Sequence, residues 1–390
     1  MDQVSVGRGG HRAARPGSRC EGGSRRRVRI LFVETFAGGS HAAFADGLVR
    51  HSRHQFTMVT LPARNWRLRT RTGAFEVART VPDASGFDLV FVTDLITLSD
   101  LLALWRPTVP PVLLYLHESQ LTYPFPKDRN PDFDLVLRDI RNALFADRVV
   151  FNSRFHRRAF LEQTATLADR LCDADGDIAS GWAGDIEKRS SVLYPGVEVQ
   201  PGPARTNPVP RVLWNHRWEY DKRPGPFFRA LSVLQEEGVP FELVVLGENP
   251  QDQPKGFPEA RERFADRIVQ WGYAESVEEY RRWLSQSDIV VSTAKQENFG
   301  IAVVEAMRSG CVPILPRRLS YPELLPEELH ADLLYDRDRE LPALLKRWLA
   351  MPRDACARAV SAAMARFDWK ALAPAYDSLM EETAALRTAG

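Results

Sequence analysis

No stretch of the 390 residues reaches the ~18 consecutive apolar positions that a membrane-spanning helix needs, so no membrane span is expected. Cysteine is scarce. Cys20, Cys172, Cys311 and Cys356 are scattered, with no Cys-x-x-Cys pair and no histidine at zinc spacing. That speaks against a disulfide framework or a structural zinc and fits a reducing, cytoplasmic compartment. An excess of one charge is lacking too: 52 lysines and arginines stand against 51 acidic residues, a net charge of +1. A nucleic-acid partner would therefore have to be met by a local patch. Residues 1–27 carry seven arginines but no apolar run. They are expected to be a disordered Arg/Gly-rich tail rather than a secretory signal, with a basic arm on nucleic acid as the other reading.

What is present is an average globular composition, 44% hydrophobic and 26% charged, at a length suited to two domains. Short β-branched and aromatic runs alternate with helical patterns: Val28–Glu34, Gln55–Leu61, Phe87–Thr93, Pro111–Leu116, Arg148–Phe151 and Ser190–Tyr194 read as strands. A proline- and glycine-crowded stretch at 195–210 reads as a linker. The alternation then restarts with Arg211–Asn215, Phe241–Leu246, Ile268–Trp271, Asp288–Ser292 and Val312–Leu315. The expected fold is α/β, with two doubly wound Rossmann-like parallel-sheet domains facing a cleft. The expected boundaries are 28–200, 201–368 and a C-terminal helix at 369–390 that packs back towards the first domain. The stretch Ala165–Gly184, rich in Asp and Gly, reads as a variable loop.

Five segments can carry chemistry. The strongest is Glu297-Asn298-Phe299-Gly300-Ile301 with Glu305 eight residues on, where a strand gives way to a helix. Gly300 lets the backbone come close to a ligand, and the N–H groups near Phe299, Gly300 and Ile301 sit where a helix dipole favours an anion. A sugar diphosphate needs such donors, together with carboxylates to accept from its hydroxyls. An acidic cap and an ordinary helix glutamate would give the same letters. The second segment is Trp214–Lys222, in which Arg217 and Lys222 can hold a pyrophosphate, with Arg223 as a rival for Lys222. The third is the Gly38-Gly39-Ser40-His41 turn, which is not Gly-x-Gly-x-x-Gly and can be a plain tight turn. The fourth is His117 with Gln120, at the end of a strand that would open on a ligand crevice. The fifth is Arg64–Arg71, where Arg64, Arg67, Arg69 and Arg71 surround Trp66; this suits nucleic acid through phosphate pairing and stacking, or a solvated helix face.

These residues resemble known families. Glu297…Glu305, Arg217…Lys222, Asn152-Ser153 after a strand and the late Phe367-Asp368-Trp369 are similar to family-4 retaining glycosyltransferases of the GT-B architecture, over roughly residues 28–385. In the first half, Glu34–His41, Leu61–Ala74 and Leu114–Pro124 resemble the tRNA-queuosine α-mannosyltransferase family, whose members move mannose from GDP-mannose to queuosine in the anticodon of tRNA-Asp. The resemblance implies that Glu305 holds the donor ribose and Glu297 the donor sugar, with Arg217 and Lys222 on the diphosphate. It places His117 beside the transferred sugar, Gly38 and Gly39 near the phosphates, and the Arg64–Arg71 segment, together with Gln120, on the acceptor. His117, Arg217, Lys222 and Glu297 are then the expected catalytic set. The implied partners are a nucleotide sugar and a queuosine-containing tRNA, with no stable membrane association. No cofactor or metal is expected, since Arg217 and Lys222 can stand in for a cation and no Asp-x-Asp pair marks the expected site. A different nucleotide sugar, a lipid or polysaccharide acceptor, and a non-catalytic RNA-binding protein on a transferase scaffold are the alternatives.

Overall fold

A computed structural model of the chain describes residues 5–8, 27–124, 132–171, 179–203, 207–247 and 256–388. They divide into two compact units, one made of residues up to Gly196 together with Leu372 onwards, the other of Val197–Ala371.

The first unit is built on a sheet of β1 (Ser5–Arg8), β2 (Arg29–Ala37), β3 (Gln55–Pro62), β4 (Leu89–Thr93), β5 (Val112–Leu116), β6 (Arg148–Phe151) and β7 (Ser190–Val192), in the order β1-β3-β2-β4-β5-β6-β7. All neighbours run parallel except β1 with β3. The central strands read as unbroken apolar runs because both faces are covered: Ile30 to Val33 and Leu89 to Val92 are all fully buried. Helices α1 (Gly39–His51), α2 (Trp66–Thr80), α3 (Leu98–Leu104), α4 (Phe133–Phe145), α5 (Arg154–Leu171) and α6 (Trp182–Lys188) connect them. On one side Phe44 of α1 stacks on Tyr115 of β5, ring centroids 4.4 Å apart. The helix Trp369–Ala384 closes this side from Leu372 on. Its Tyr376 hydroxyl donates to the carbonyl of Tyr194 at 2.9 Å, and Arg53 pairs with its Glu381 at 2.6 Å.

Two expectations change here. The Arg/Gly-rich tail is described only at Ser5–Arg8, and there it is an antiparallel strand laid on β3 rather than disordered. An uncovered edge strand presents unpaired N–H and C=O groups, and β1 takes them. The stretch Ala165–Gly184 is largely helix where described, since α5 runs to Leu171 and α6 begins at Trp182.

The second unit holds β8 (Arg211–Asn215), β9 (Glu242–Leu246), β10 (Ile268–Gly272), β11 (Ile289–Val291), β12 (Val312–Pro316) and β13 (Leu334–Tyr335), all parallel, in the order β10-β9-β8-β11-β12-β13. Helices α7 (Pro224–Glu236), α8 (Phe257–Arg263), α9 (Val277–Gln286) and α10 (Ile301–Arg308) precede further helices over Leu341–Ala350 and Asp354–Met364. The proline-rich stretch read as a linker belongs, from Val197 to Pro203, to this unit. Val197 N–H donates to the carbonyl of Phe367 at 2.8 Å and Gly202 N–H to that of Ser309 at 3.2 Å.

Both strand orders reverse direction once. In the first sheet the reversal lies between β2 and β4, in the second between β8 and β11. A doubly wound sheet opens a crevice at that point, beyond the carboxyl ends of the two strands.

Candidate functional site

In the first unit, the loops at the reversal bring together Glu34, His41, Asp94 and, one strand further, His117. Gly38 ends β2 where a Cβ would lie 2.5 Å from that of Ala63, so only glycine lets the β2–α1 turn press against the start of the next connection. Glu34 is fully buried and accepts from the Phe36 N–H at 2.8 Å and from His41 Nδ1 at 3.1 Å. Burial alone would lower His41, but the charges of Glu34, Asp94 and Glu118 outweigh it and raise its pKa to about 9. The protonated ring lies against that of His117, centroids 4.2 Å apart. His117 is pushed well below the usual histidine range by burial, then by the charge of His41 and by His156.

The backbone of His117 is clamped from both sides. Asp94 accepts from the N–H groups of His117 and Glu118, each at 3.3 Å, and Asn152 Nδ2 donates to the His117 carbonyl at 2.7 Å. Burial raises Asp94 to about 7; His41 opposes the rise and Glu118, Glu34 and Asp139 add to it. Asn152 Oδ1 in turn meets His156 Nδ1 at 2.9 Å, and burial drives His156 down to about 3. Gln120 is fixed by its N–H on Asp139 Oδ2 at 2.7 Å. One ligand atom each from Glu34, His41 and His117 lie within 4.8 Å of one another. The Glu34–His41 hydrogen bond joins two of them at 3.1 Å.

The arginine segment forms the first turns of α2. Arg64, Arg67 and Arg71 are exposed, and the Arg67 guanidinium sits 4.9 Å over the ring of the half-buried Trp66. Arg71 is held by Asp132 at 2.6 Å. Arg69 departs from the expected set: its side chain, 14% exposed, turns back onto Glu76 within the helix.

In the second unit, the loop after β8 and the loop after β11 meet at the reversal. Lys222 ends a short 3-10 turn, Tyr220–Lys222, and its ammonium is buried. Its Nζ donates to the Gln296 carbonyl at 2.8 Å and lies 3.2 Å from both Glu297 Oε2 and Asp221 Oδ2. Burial lowers its pKa, but Glu297 and Asp221 together outweigh burial and Arg217, leaving it above the ordinary lysine value. Arg217 is 66% exposed and touches Glu219 at 3.3 Å. Arg223 is engaged elsewhere, on Asp338 at 2.6 Å, which leaves Lys222 as the lysine or arginine of that turn paired with Glu297.

Gly300 has φ +94 and would carry a Cβ 3.3 Å from both Glu297 and Tyr321, so glycine is required twice over where α10 begins. Ile301 and the next residues head α10, where backbone N–H groups have no intrahelical acceptor. Asn298 is buried with Oδ1 accepting from Gln296 at 3.1 Å, and the buried ring of Phe299 packs on Phe367. Glu305 accepts from the Tyr280 hydroxyl at 2.8 Å, which itself takes Asn215 Nδ2 at 3.3 Å. Burial raises Glu305 to about 7, with Tyr280 and Arg281 partly offsetting it. Asn215 Oδ1 is buried without a hydrogen-bond partner among the described residues.

The two carboxylates thus sit in different surroundings, Glu297 in an ion pair and Glu305 in a neutral hydrogen-bonded niche. Sequence reasoning missed Glu34 and Asp94, although each is a polar residue at the carboxyl end of an apolar strand, the signal that picked out His117. Tyr280 and His156 gave no such signal; each reaches its partner from a helix.

Residues 29–197 match the family model described as tRNA-queuosine alpha-mannosyltransferase N-terminal, and residues 210–350 match that of glycosyl transferases group 1. The tRNA-queuosine alpha-mannosyltransferase of Drosophila melanogaster is 33% identical over 339 residues, which cover 83% of this chain and 88% of that protein. A GDP-mannose:cellobiosyl-diphosphopolyprenol alpha-mannosyltransferase of Xanthomonas oryzae is 29% identical over 193 residues, 47% of this chain and 50% of that one. Among solved structures, HepE of Anabaena in complex with UDP and glucose superposes with a TM-score of 0.66 at 17% identity, over 91% of this chain and all (100%) of that one. The sucrose-phosphate synthase of Thermosynechococcus elongatus gives 0.67 at 16% identity, over 93% and 100%. These likenesses establish the GT-B fold.

Proposed function

The chain belongs to the tRNA-queuosine α-mannosyltransferase family, and from that membership we propose that it transfers mannose from GDP-mannose to queuosine in the anticodon of tRNA-Asp, with retention at the sugar's anomeric carbon. The observation that carries the reading is the buried Lys222 ammonium beside Glu297 at the reversal of the second sheet. It offers a preformed positive charge where a diphosphate can leave and a carboxylate where a sugar can be held.

The ammonium has three hydrogens and three protein partners: Gln296, Asp221 and Glu297. A phosphate oxygen must therefore replace a carboxylate, and Glu297, released, accepts from the sugar hydroxyls. Arg217, exposed on the same loop, is the second cation for the diphosphate. The N–H groups at Gly300 and Ile301 face the same anion, and Glu305 with Asn215 accepts from the ribose hydroxyls. His117, kept neutral, hydrogen-bonds the transferred sugar, and Gly39, with open space where a Cβ would stand, leaves its phosphate side room, while Gly38 is taken up against Ala63. In the transfer the queuosine hydroxyl oxygen bonds to the anomeric carbon as the bond to the diphosphate breaks, and its proton passes to the departing phosphate on the same face. No protein nucleophile is needed; positioning and charge stabilisation suffice.

The GDP-mannose donor is supported by the likeness to the Xanthomonas GDP-mannose-dependent relative, and the tRNA acceptor by the likeness to the Drosophila tRNA-queuosine alpha-mannosyltransferase. The Xanthomonas enzyme also keeps a lipid-linked acceptor in view. The protein, given GDP-mannose and queuosine-containing tRNA-Asp, should add one hexose to the queuosine nucleoside, detected by mass spectrometry after digestion. The adduct should vanish with Glu297→Ala and with tRNA lacking queuosine. Transfer to a diphosphopolyprenol sugar but not to tRNA would sink the acceptor assignment.

A further inference from the structure

Helix α2 carries more than the arginines near its start. Its inner face is set by Thr70, Gly73, Ala74 and Val77, all buried at helical spacing. Thr97 Oγ1 bonds the Thr70 carbonyl at 3.0 Å and fixes the helix against the β4–α3 loop. The opposite arc therefore faces solvent, and it holds Arg67, Leu68, Arg71, Phe75 and Arg79 at steps of three and four, with the exposed Arg64 just ahead of the helix. Leu68 is 57% exposed and Phe75 55%, large apolar side chains presented between arginines. The helix contains one acidic residue, Glu76, and Arg69 occupies it. The acids that meet the outer arc, Asp132 at 2.6 Å and Asp134 at 3.8 Å, both lie on Arg71.

The arc begins at the site. Asn65, in the left-handed region with φ +46, turns the chain from the carboxyl end of β3 into α2. The preceding Ala63 is the residue against which Gly38 is packed, so the head of α2 adjoins the Gly38–His41 turn within the first unit.

We propose that this outer face of α2 docks the single-stranded loop of the RNA acceptor, with arginines on phosphates and Phe75 and Leu68 beneath unstacked bases. The inference rests on the tRNA reading above and adds to it the surface, its apolar members and its direction, from Arg64 at the site outward to Arg79. Arginines alternating with the exposed apolar Leu68 and Phe75 on one face, with the neighbouring acids Asp132 and Asp134 both on Arg71, complement a chain of phosphates and bases. A rigid duplex offers no splayed base for Phe75, so the single-stranded loop is the matching partner.

The test uses the full-length protein and a fluorescent anticodon stem-loop RNA, with a blunt duplex of equal length for comparison, read by anisotropy over a range of salt. Phe75→Ala should weaken hairpin binding about tenfold and leave the duplex unaffected. Arg79→Ala should lower the slope of log affinity against log salt by about 0.7. Arg158→Ala, which removes an exposed positive charge from α5, should do neither. Unchanged melting temperatures confirm that the variants are folded. Wild-type affinity in both α2 variants, an equal loss on duplex, or an equal slope change in Arg158→Ala overturns the face while leaving the acceptor reading standing. A wild-type protein that binds no hairpin overturns both.

Discussion

At the scale of single residues, the two carboxylates of the second unit show how surroundings divide identical chemistry. Glu297 lies 3.2 Å from a buried ammonium, whereas burial raises Glu305 to about 7 and the Tyr280 hydroxyl works against that rise. A carboxylate that accepts from ribose hydroxyls does so best when ionised, so donor affinity should strengthen as pH rises through about 7. Removing the hydroxyl takes away a bond that favours the ionised form. In Tyr280→Phe the midpoint of donor affinity against pH should therefore move upward. At pH 7 the GDP-mannose dissociation constant should rise by about 3- to 10-fold, the worth of one hydrogen bond. Calorimetric titration of the donor between pH 5.5 and 8.5 checks this. A midpoint that stays put would separate Tyr280 from the donor's ribose.

At the scale of elements, the β2–α1 turn is a charge device. His41 is protonated in the folded chain at neutral pH, held by Glu34, with Asp94 and Glu118 facing it and the neutral rings of His117 and, beyond, His156 nearby. An unfolded histidine has lost most of its proton by pH 7. The stabilisation from His41 is then fully present below about 6.5 and drains away as pH rises through about 9. Asp94, raised to about 7, acts in the same direction at lower pH: the folded chain keeps its proton after the unfolded chain has released it, and that contribution fades through about 7. Glu34→Gln should lower the melting temperature at pH 7 by roughly 5–10 °C, because it leaves a buried charge with its main partner gone. It should also shift the alkaline loss to lower pH, and melting curves from pH 6 to 10 would show an unchanged alkaline limb if Glu34 were not the partner. The strands on either side of this turn were legible in the sequence, since fully buried parallel strands such as β2 and β4 are written as unbroken apolar runs. The strand β1 was not, because four residues within an arginine- and glycine-rich stretch are too short to carry a strand pattern. Nor was α5, whose last residues fall in the Asp- and Gly-containing stretch that reads as a loop. His117 was singled out by its place at a strand end, a signal that Asp94 carries too, Lys222 and Glu297 by the loops that follow strands, and Glu305 by its spacing from Glu297, while Tyr280 acts through a contact between distant segments that no local spacing encodes.

At the scale of the whole molecule, the question is where the countercharge to a leaving diphosphate comes from. The net charge is +1, so the overall field supplies almost nothing and the charge must be local. In the second unit it is: Lys222 is buried among its partners, and Arg217 stands exposed on the same loop. Once a phosphate oxygen has taken the place of Glu297, a buried ammonium still oriented by Gln296 and Asp221 costs little further reorganisation as the phosphate charge grows, which is the service a divalent ion would otherwise provide. Glu34, His41 and His117 of the first unit have the spacing of a ligand set, but Glu34 is already engaged by the His41 ring at 3.1 Å. Mannosyl transfer should therefore run at its full rate in EDTA, and added magnesium, manganese or zinc should not accelerate it. Loss of turnover in EDTA that returns with one of these ions would overturn metal independence. If Glu34→Gln abolished that rescue while Lys222→Ala retained it, the ion would belong to the first unit's cluster rather than to the diphosphate.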